Sequence, residues 1–173
     1  MAVVPIIATP WSQVVNYRPG DFNHPEKLDF AVVQGVDRLT FILGVKLIIL
    51  DDFRTVSKNK DSQHLLGRAL DFTCPTVDSM TVLDAIRNMK WFSGYGMYVN
   101  ERGVVSFHVD TRTDRSPDNP ATWGASKDRG IGPVEWTYTS LRSIIDQYFS
   151  AAVPALVWVL IMGVGIYYLA KYT

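Results

Sequence analysis

The chain has 173 residues, a formal net charge of zero and a pI near 6.8. This length fits a single domain, and the balanced charge gives no electrostatic reason to expect nucleic acid as a partner. The single cysteine, Cys74, excludes an internal disulfide framework, and we expect it to be a small buried residue rather than a nucleophile.

The first part of the chain is rich in proline. Residues 1–28 contain four prolines and few periodically spaced apolar residues, which predicts an extended N-terminal arm lying on the domain or on a neighbouring subunit. His24 falls in this arm, and we expect it to be a surface histidine. The segment Met1–Pro10 is apolar but short and has no basic residue before it, so no signal peptide is expected.

Apolar spacing predicts a helix in the next segment. Apolar residues from Val32 to Leu43 recur at spacings of four, three and four, which places them on one helical stripe. Asp29 can cap the start of this helix, and Gly44 can end it. We expect the stripe to belong to the core.

Short apolar runs predict the strands. Lys46–Leu50 is typical of a buried strand, and Ala69–Cys74 of a second one. Tyr95–Val99 and Val104–Asp110, joined by a turn at residues 100–103, predict a β-hairpin.

Three further elements complete the prediction. A helix begins at Thr76 or Asp78 and runs to about Met89. Residues 111–135 contain several prolines and glycines and predict a long irregular loop, such as often forms a binding rim or lid. Residues 135–149 predict a final helix.

The C-terminal segment predicts a membrane span. Residues 151–170 carry no charge and would span about 30 Å as a helix, which is the thickness of the hydrocarbon core of a bilayer. The alternative is a buried core helix, which so small a domain could hardly cover. We therefore divide the chain into the arm, a domain over residues 29–135, a juxtamembrane helix over 136–150 and a single-pass tail anchor whose partner is the lipid bilayer. One charge beyond the span, Lys171, weakly favours the positive-inside compartment for the tip.

Two short segments carry the chemistry. Ser62 to Asp71 and Phe107 to Asp110 contain two of the three histidines of the chain, His64 and His108, each accompanied by an aspartate. The seven-residue spacing of His64 and Asp71 fits one face of a helix, although Gly67 favours a loop followed by a strand. His108 and Asp110 alternate with apolar residues and therefore share one face of a strand.

Two imidazoles and one carboxylate are the ligands of a catalytic zinc site, with the fourth position left for water or substrate. The residue types alone leave another interpretation open, because a His–Asp pair is also a common hydrogen-bonded pair.

The strings SQHLLGRALDF and FHVDTR resemble the zinc D-Ala-D-Ala carboxypeptidase family, whose signature is Ser-x-His-x-x-Gly-x-Ala-x-Asp and a later metal-binding histidine. The Hedgehog signalling domain shares this fold. The resemblance covers roughly residues 50–125. It implies an α+β fold with a small antiparallel sheet and flanking helices, and it implies zinc held by His64, Asp71 and His108.

The same resemblance places Arg54 where the family holds substrate, and a guanidinium fork matches a peptide carboxylate or carbonyl. The alternative is a solvated surface arginine. Ser62 either orients a ligand or shapes the turn.

One departure concerns the general base. Many relatives carry an acid three residues before the second histidine, where this chain has Val105. Glu101 lies at the hairpin turn, so we predict Asp110 as the base. A hairpin centred on residues 101 and 102 places Tyr95 opposite His108, and Tyr95 is then a possible hydrogen-bond donor to the transition state. Trp123 and Trp91 either line a substrate groove or, as we favour, pack in the core.

The sequence therefore predicts a membrane-anchored zinc peptidase that hydrolyses peptidoglycan stem peptides. The alternative is a catalytically inactive zinc protein that binds cell wall or is a structural membrane protein of a virion. We expect the bacterial envelope or the membrane of a phage particle as its location, with envelope or virion proteins as its neighbours.

Overall fold

A computed structural model of the chain describes residues 10–127 and 135–150. Six strands in these ranges form one mixed sheet in the order β1-β2-β4-β3-β5-β6. The strands are β1 (Ile48–Asp51), β2 (Ala69–Thr73), β3 (Gly94–Val99), β4 (Val105–Asp110), β5 (Ala121–Ser126) and β6 (Thr137–Thr139). The α-helices are α1 (Phe30–Leu43), α2 (Ser79–Met89) and α3 (Leu141–Ser150).

The first two helices begin where their caps predict. The Asp29 carboxylate accepts a hydrogen bond from the Ala31 amide at 3.1 Å, and the Asp78 carboxylate caps α2 in the same way. Gly44 ends α1 with a φ of 68°, a left-handed conformation that glycine adopts without steric cost. The local sequence is sufficient to set these boundaries.

One face of the sheet is buried under the helices. Phe72 of β2 and Phe107 of β4 are stacked with ring centroids 5.6 Å apart, and both belong to the cluster that includes the apolar stripe of α1. Burying a side chain of this size contributes roughly 2–3 kcal/mol. Because side chains alternate along a strand, the neighbouring residues Asp71 and His108 lie on the opposite face.

Residues 10–28 do not form an extended arm. They contain three short 3₁₀ turns and bury Val14, Tyr17 and Phe22 in the core of the domain. The Tyr17 hydroxyl lies 2.8 Å from the Thr40 hydroxyl, which fixes the segment against α1. The apolar residues here follow neither helical nor strand periodicity, so their burial was not visible in the pattern.

The hairpin register differs from the prediction by one residue. Tyr95 pairs with Val109, and Gly96 pairs with His108. The connection closes with a hydrogen bond from the Asn100 amide to the Val104 carbonyl, and Gly103 has a φ of 76°. A one-residue shift moves a side chain to the other face, so Tyr95 lies in the core.

The sheet is mixed, whereas we predicted an antiparallel one. Strand β5 lies inside the predicted loop and pairs in parallel with β3, from Gly94–Ala121 to Val99–Ser126. Strand β6 precedes the final helix, which begins at Leu141 and not at residue 135. The small residues of β5 and the proline before it are not typical of a strand, so the sequence did not predict one here. The strand forms because it pairs with β3, which is distant in the sequence.

The predicted membrane span over residues 151–170 lies outside the described residues. Within residues 10–127 and 135–150, no helix is both long enough and apolar enough to cross a bilayer.

Candidate metal centre

Three elements bring the predicted ligands together on the open face of the sheet. Asp71 of β2 and His108 of β4 are directly paired in the antiparallel register, so their side chains are neighbours. His64 lies in a 3₁₀ turn over Gln63–Leu66 and is buried, as is His108. The Asp71 side chain is 21 % exposed, so the centre opens to solvent on the side of this carboxylate.

The three donor atoms converge on one point. His64 Nε2 lies 3.2 Å from His108 Nδ1, and Asp71 Oδ1 lies 3.2 Å from the former and 2.8 Å from the latter. Donors of a tetrahedral zinc site with bonds of roughly 2.0 Å are about 3.3 Å apart. The observed separations fit such a site closely.

Hydrogen bonds to the outer nitrogens fix both imidazole tautomers. His64 Nδ1 donates to the backbone carbonyl of Asp52, and His108 Nε2 donates to Asp110 Oδ2 at 3.1 Å. In its neutral form, which is the form that binds a metal ion, each ring therefore presents a lone pair to the common point. Two lone pairs and a carboxylate oxygen directed at one point form a cation site, and partners of this kind orient metal-binding histidines.

The electrostatics of the centre also favour a cation. Burial works to raise the pKa of Asp71, but the contacts of its carboxylate with the His108 and His64 rings outweigh burial and hold that pKa well below its usual range. Burial works to lower the pKa of His108, but Asp110 and Asp71 raise it to about 9. Asp71 and Asp110 thus stabilise positive charge on His108, and the Asp71 carboxylate offers the same stabilisation to a cation at the point where the three donors converge.

The glycine of the motif has a steric role. Gly67 follows the 3₁₀ turn with a φ of 67°, and its amide bonds back to the carbonyl of His64. A Cβ at this position would lie 1.9 Å from the Lys27 carbonyl oxygen. Only glycine fits both the backbone conformation and this close approach, which positions the turn that carries His64.

The structure places Asp110 behind His108 and not beside the open side of the centre. Asp110 is fully buried, and its oxygens accept hydrogen bonds from His108 and from the amide and guanidinium of Arg112. Burial works to raise the pKa of Asp110, but Arg112 and His108 lower it to about 2. This placement suits an anion that orients His108, and it does not suit the general base that we predicted.

Tyr98, and not Tyr95, is the tyrosine of β3 on the face of the metal centre. Tyr95 pairs with Val109 and is buried in the core, whereas Tyr98 pairs with Ser106, two residues before His108. Burial raises the pKa of Tyr98, and the charge of Asp71 adds to this effect. The assignment of Tyr95 to the site was therefore wrong, and the register error that caused it also hid Tyr98.

Arg54 lies at the rim of the centre, as the prediction requires. Its Nη2 is 3.1 Å from Asp71 Oδ2, and the guanidinium also pairs with Asp51. The side chain is partly exposed, so the fork is accessible to a ligand approaching Asp71.

Trp123 and Trp91, the two tryptophans considered in the sequence, lie in different places: Trp123 at the metal centre and Trp91 against the core. Trp123 packs against the His108 ring with centroids 5.0 Å apart and so lines the centre, although we favoured a core position. A Cβ on Gly96 would lie 2.5 Å from Trp123 Nε1, so Gly96 makes room for this indole. Trp91 donates from Nε1 to the Ala31 carbonyl and packs against the core.

Asp52 is a residue of the site that sequence reasoning missed. Its buried carboxylate accepts hydrogen bonds from the amides of Asn23 and His24 and from the His24 ring, while its carbonyl holds His64. His24 is thus half-exposed but paired. Two adjacent aspartates after a strand were the only signal in the sequence.

A buried site of two imidazoles and a carboxylate, open on one side and next to an arginine, is typical of metal-dependent hydrolases. The protein-family model described as Peptidase M15 matches residues 12–110, which is more than half of the chain. The chain belongs to this family of zinc D-Ala-D-Ala carboxypeptidase-like proteins, which confirms the resemblance seen in the sequence. Comparison with curated proteins and with solved structures gives no match.

Proposed function

We propose that the protein is a zinc peptidase that hydrolyses amide bonds in the stem peptides of peptidoglycan. The observation that carries this proposal is the convergence of His64, Asp71 and His108 on one point, with the Arg54 guanidinium 3.1 Å from Asp71. A bound zinc ion would supply a polarised carbonyl and a water of lowered pKa. Both lower the barrier to amide hydrolysis at neutral pH.

The residues of the chain have separate roles in this proposal. Arg54 exchanges part of its pairing with Asp51 for the carboxylate or carbonyl of the peptide, which fixes the scissile bond. Tyr98 accepts a hydrogen bond from Trp123 Nε1 at 2.8 Å, so its own proton is free to be donated to the developing oxyanion. Asp110 holds His108 in the tautomer that presents Nδ1.

The apolar segment over residues 151–170, which follows α3 in the sequence, leads us to propose a location for the protein as well. We place the domain at a membrane surface through this segment, in the bacterial envelope or in the membrane of a phage particle that has to breach a cell wall. What supports this is the uncharged length of the segment, which matches a bilayer. Flotation of the full chain with liposomes, compared with a chain ending at residue 150, tests the anchor.

Digestion of purified muropeptides, followed by mass spectrometry of the products, tests the activity. We expect cleavage that stops on chelation, returns with added zinc and is absent in His108→Ala. Cleavage that persists after metal removal, or in His108→Ala, would overturn the proposal.

A specific observation favours an inactive zinc protein as the second candidate. Val105, at the position where relatives carry an acid, belongs to the buried core cluster. One zinc ion per chain together with tight cell-wall binding and no turnover would identify this alternative.

A further inference from the structure

A second group of side chains extends from the metal centre across the open face of the sheet. Trp123 packs on His108 and donates to the Tyr98 hydroxyl. Tyr98 in turn contacts the ring of Trp136 with centroids 5.2 Å apart and the ring of Tyr138 at 6.4 Å. These aromatic rings therefore form a continuous row from β4 to β6.

The outer end of this row is accessible. Tyr138 is 65 % exposed and lies on the edge strand β6, where it pairs with Ala125. The Trp136 ring is half-buried and carries the Lys127 ammonium 4.7 Å from its centroid. Exposed aromatic groups are enriched where proteins contact ligands or partners, and these two continue the candidate site.

We propose that Trp136 and Tyr138 form a saccharide subsite, which binds an N-acetylhexosamine of the glycan strand to which the stem peptide is attached. This inference rests on the proposed function, because it names the part of the same substrate that lies beyond the peptide. The C–H groups on one face of a pyranose ring pack against the electron-rich face of an aromatic ring. Polar groups at the rim then bind hydroxyl and acetamido groups.

The surroundings of the aromatic pair fit a neutral polar ligand. The Lys127 ammonium supplies a hydrogen-bond donor beside Trp136. Glu135, which precedes Trp136 in the sequence, supplies a carboxylate acceptor. The Glu135 carboxylate also pairs with Lys58 at 3.4 Å, so the rim carries both signs of charge. An anionic lipid surface would instead select an excess of positive charge.

The position of the subsite sets the length of peptide between sugar and metal. Strands β3 and β5 separate β4 from β6, which makes three steps of about 4.8 Å, or about 14 Å in all. An extended peptide covers this distance with about four residues. The amide that reaches the metal centre is therefore far from the sugar and not the one next to it.

Strands β5 and β6 follow residue 110, where the family match ends. The saccharide subsite is thus built from a part of the chain that the family model does not cover.

Titration of the zinc-loaded full chain with N,N′,N″-triacetylchitotriose tests the subsite without requiring turnover. We expect saturable binding in the wild type and binding weaker by roughly fivefold or more in both Trp136→Ala and Tyr138→Ala. Trp136→Phe keeps an aromatic face and should retain most of the affinity. The matched control is Phe41→Ala, because Phe41 is 81 % exposed on α1, away from the open face.

A kinetic comparison separates this inference from the proposed function. Trp136→Ala should raise the KM for a disaccharide-bearing muropeptide relative to the KM for the same peptide without its sugar. Absence of saturable chitotriose binding in the wild type, or equal weakening by Phe41→Ala, would overturn the subsite. So would unchanged chitotriose binding in both Trp136→Ala and Tyr138→Ala. Metal-dependent hydrolysis of the sugar-free peptide would stand in all of these cases.

Discussion

His108 donates a hydrogen bond from Nε2 to Asp110 at 3.1 Å, while its Nδ1 lies 2.8 Å from Asp71 on the opposite side of the ring. The buried carboxylate of Asp110 therefore determines which nitrogen of His108 faces the metal centre. Arg112 donates a hydrogen bond to Asp110 and holds it in place. The orientation of His108 as a metal ligand is therefore fixed by a chain of two residues, Asp110 and Arg112, behind it.

This relationship predicts the behaviour of Asp110→Asn. Zinc affinity should fall roughly 10- to 100-fold, because the amide holds the His108 tautomer less firmly and lacks the negative charge. Competition against a chromogenic chelator measures the change. Asp84→Asn, on the exposed side of α2, is the control and should bind zinc as the wild type does. Equal affinities of Asp110→Asn and wild type would refute the role of Asp110.

The register of the hairpin predicts opposite outcomes for two tyrosines. Tyr98→Phe should lower kcat by about tenfold or more, since it removes the hydroxyl that we propose as donor to the oxyanion. Tyr95→Phe alters the core face and should leave kcat within about twofold. Steady-state hydrolysis of a muropeptide by the two variants decides between the registers, and a larger loss in Tyr95→Phe would contradict the structure.

Two glycines with the same backbone conformation provide a matched test of the motif. Gly44→Ala should cost about 1–2 kcal/mol of the free energy of unfolding, because it places a Cβ in a left-handed residue with open space around it. Gly67→Ala should cost more than about 3 kcal/mol, since its Cβ also meets the Lys27 carbonyl. Urea unfolding measures both, and equal costs would show that the contact with Lys27 is unimportant.

Tyr17 predicts a loss of stability at alkaline pH. Burial raises its pKa to about 12 against about 10 in the unfolded chain, so the unfolded state loses its proton first. The contribution is fully present below about pH 10 and falls by about 1.4 kcal/mol for each pH unit up to about pH 12.

Urea unfolding between pH 9 and 11 tests this slope against Tyr17→Phe. The variant should be less stable at pH 9, because Thr40 loses a buried partner, but its stability should fall less steeply. Burial also raises the pKa of Tyr98, so Tyr98 adds its own loss of stability at alkaline pH. This loss is the same in the wild type and in Tyr17→Phe. Parallel curves for the two proteins would contradict the prediction.

Locally coded features of the fold were predictable, and features set by distant contacts were not. The caps Asp29 and Gly44 fix the ends of α1 through groups within a few residues of each helix end. Strand β5 instead depends on pairing with β3, and the hairpin register depends on the conformation of Gly103. A miscount of one residue in that turn was enough to exchange Tyr95 for Tyr98.

The same distinction applies to the site. Residue types made His64, Asp71 and His108 candidate ligands, the resemblance to the zinc D-Ala-D-Ala carboxypeptidase family implied them as a set, and the structure brings these three side chains together. The hydrogen-bond partner of His64 Nδ1 is the backbone carbonyl of Asp52. Every residue has such a carbonyl, so the residue types in the sequence could not predict this partner. The role of Asp110 depends on its ion pair with Arg112. The sequence did not indicate this pair, because it depends on how the two side chains are placed in the folded chain.

The zinc content of the purified full chain, measured by elemental analysis beside His108→Ala, tests the central claim most directly. We predict one tightly bound zinc ion per folded wild-type chain and its loss in a folded His108→Ala chain. A folded wild type that takes up no zinc, or a His108→Ala chain that retains it with equal affinity, would contradict the metal centre.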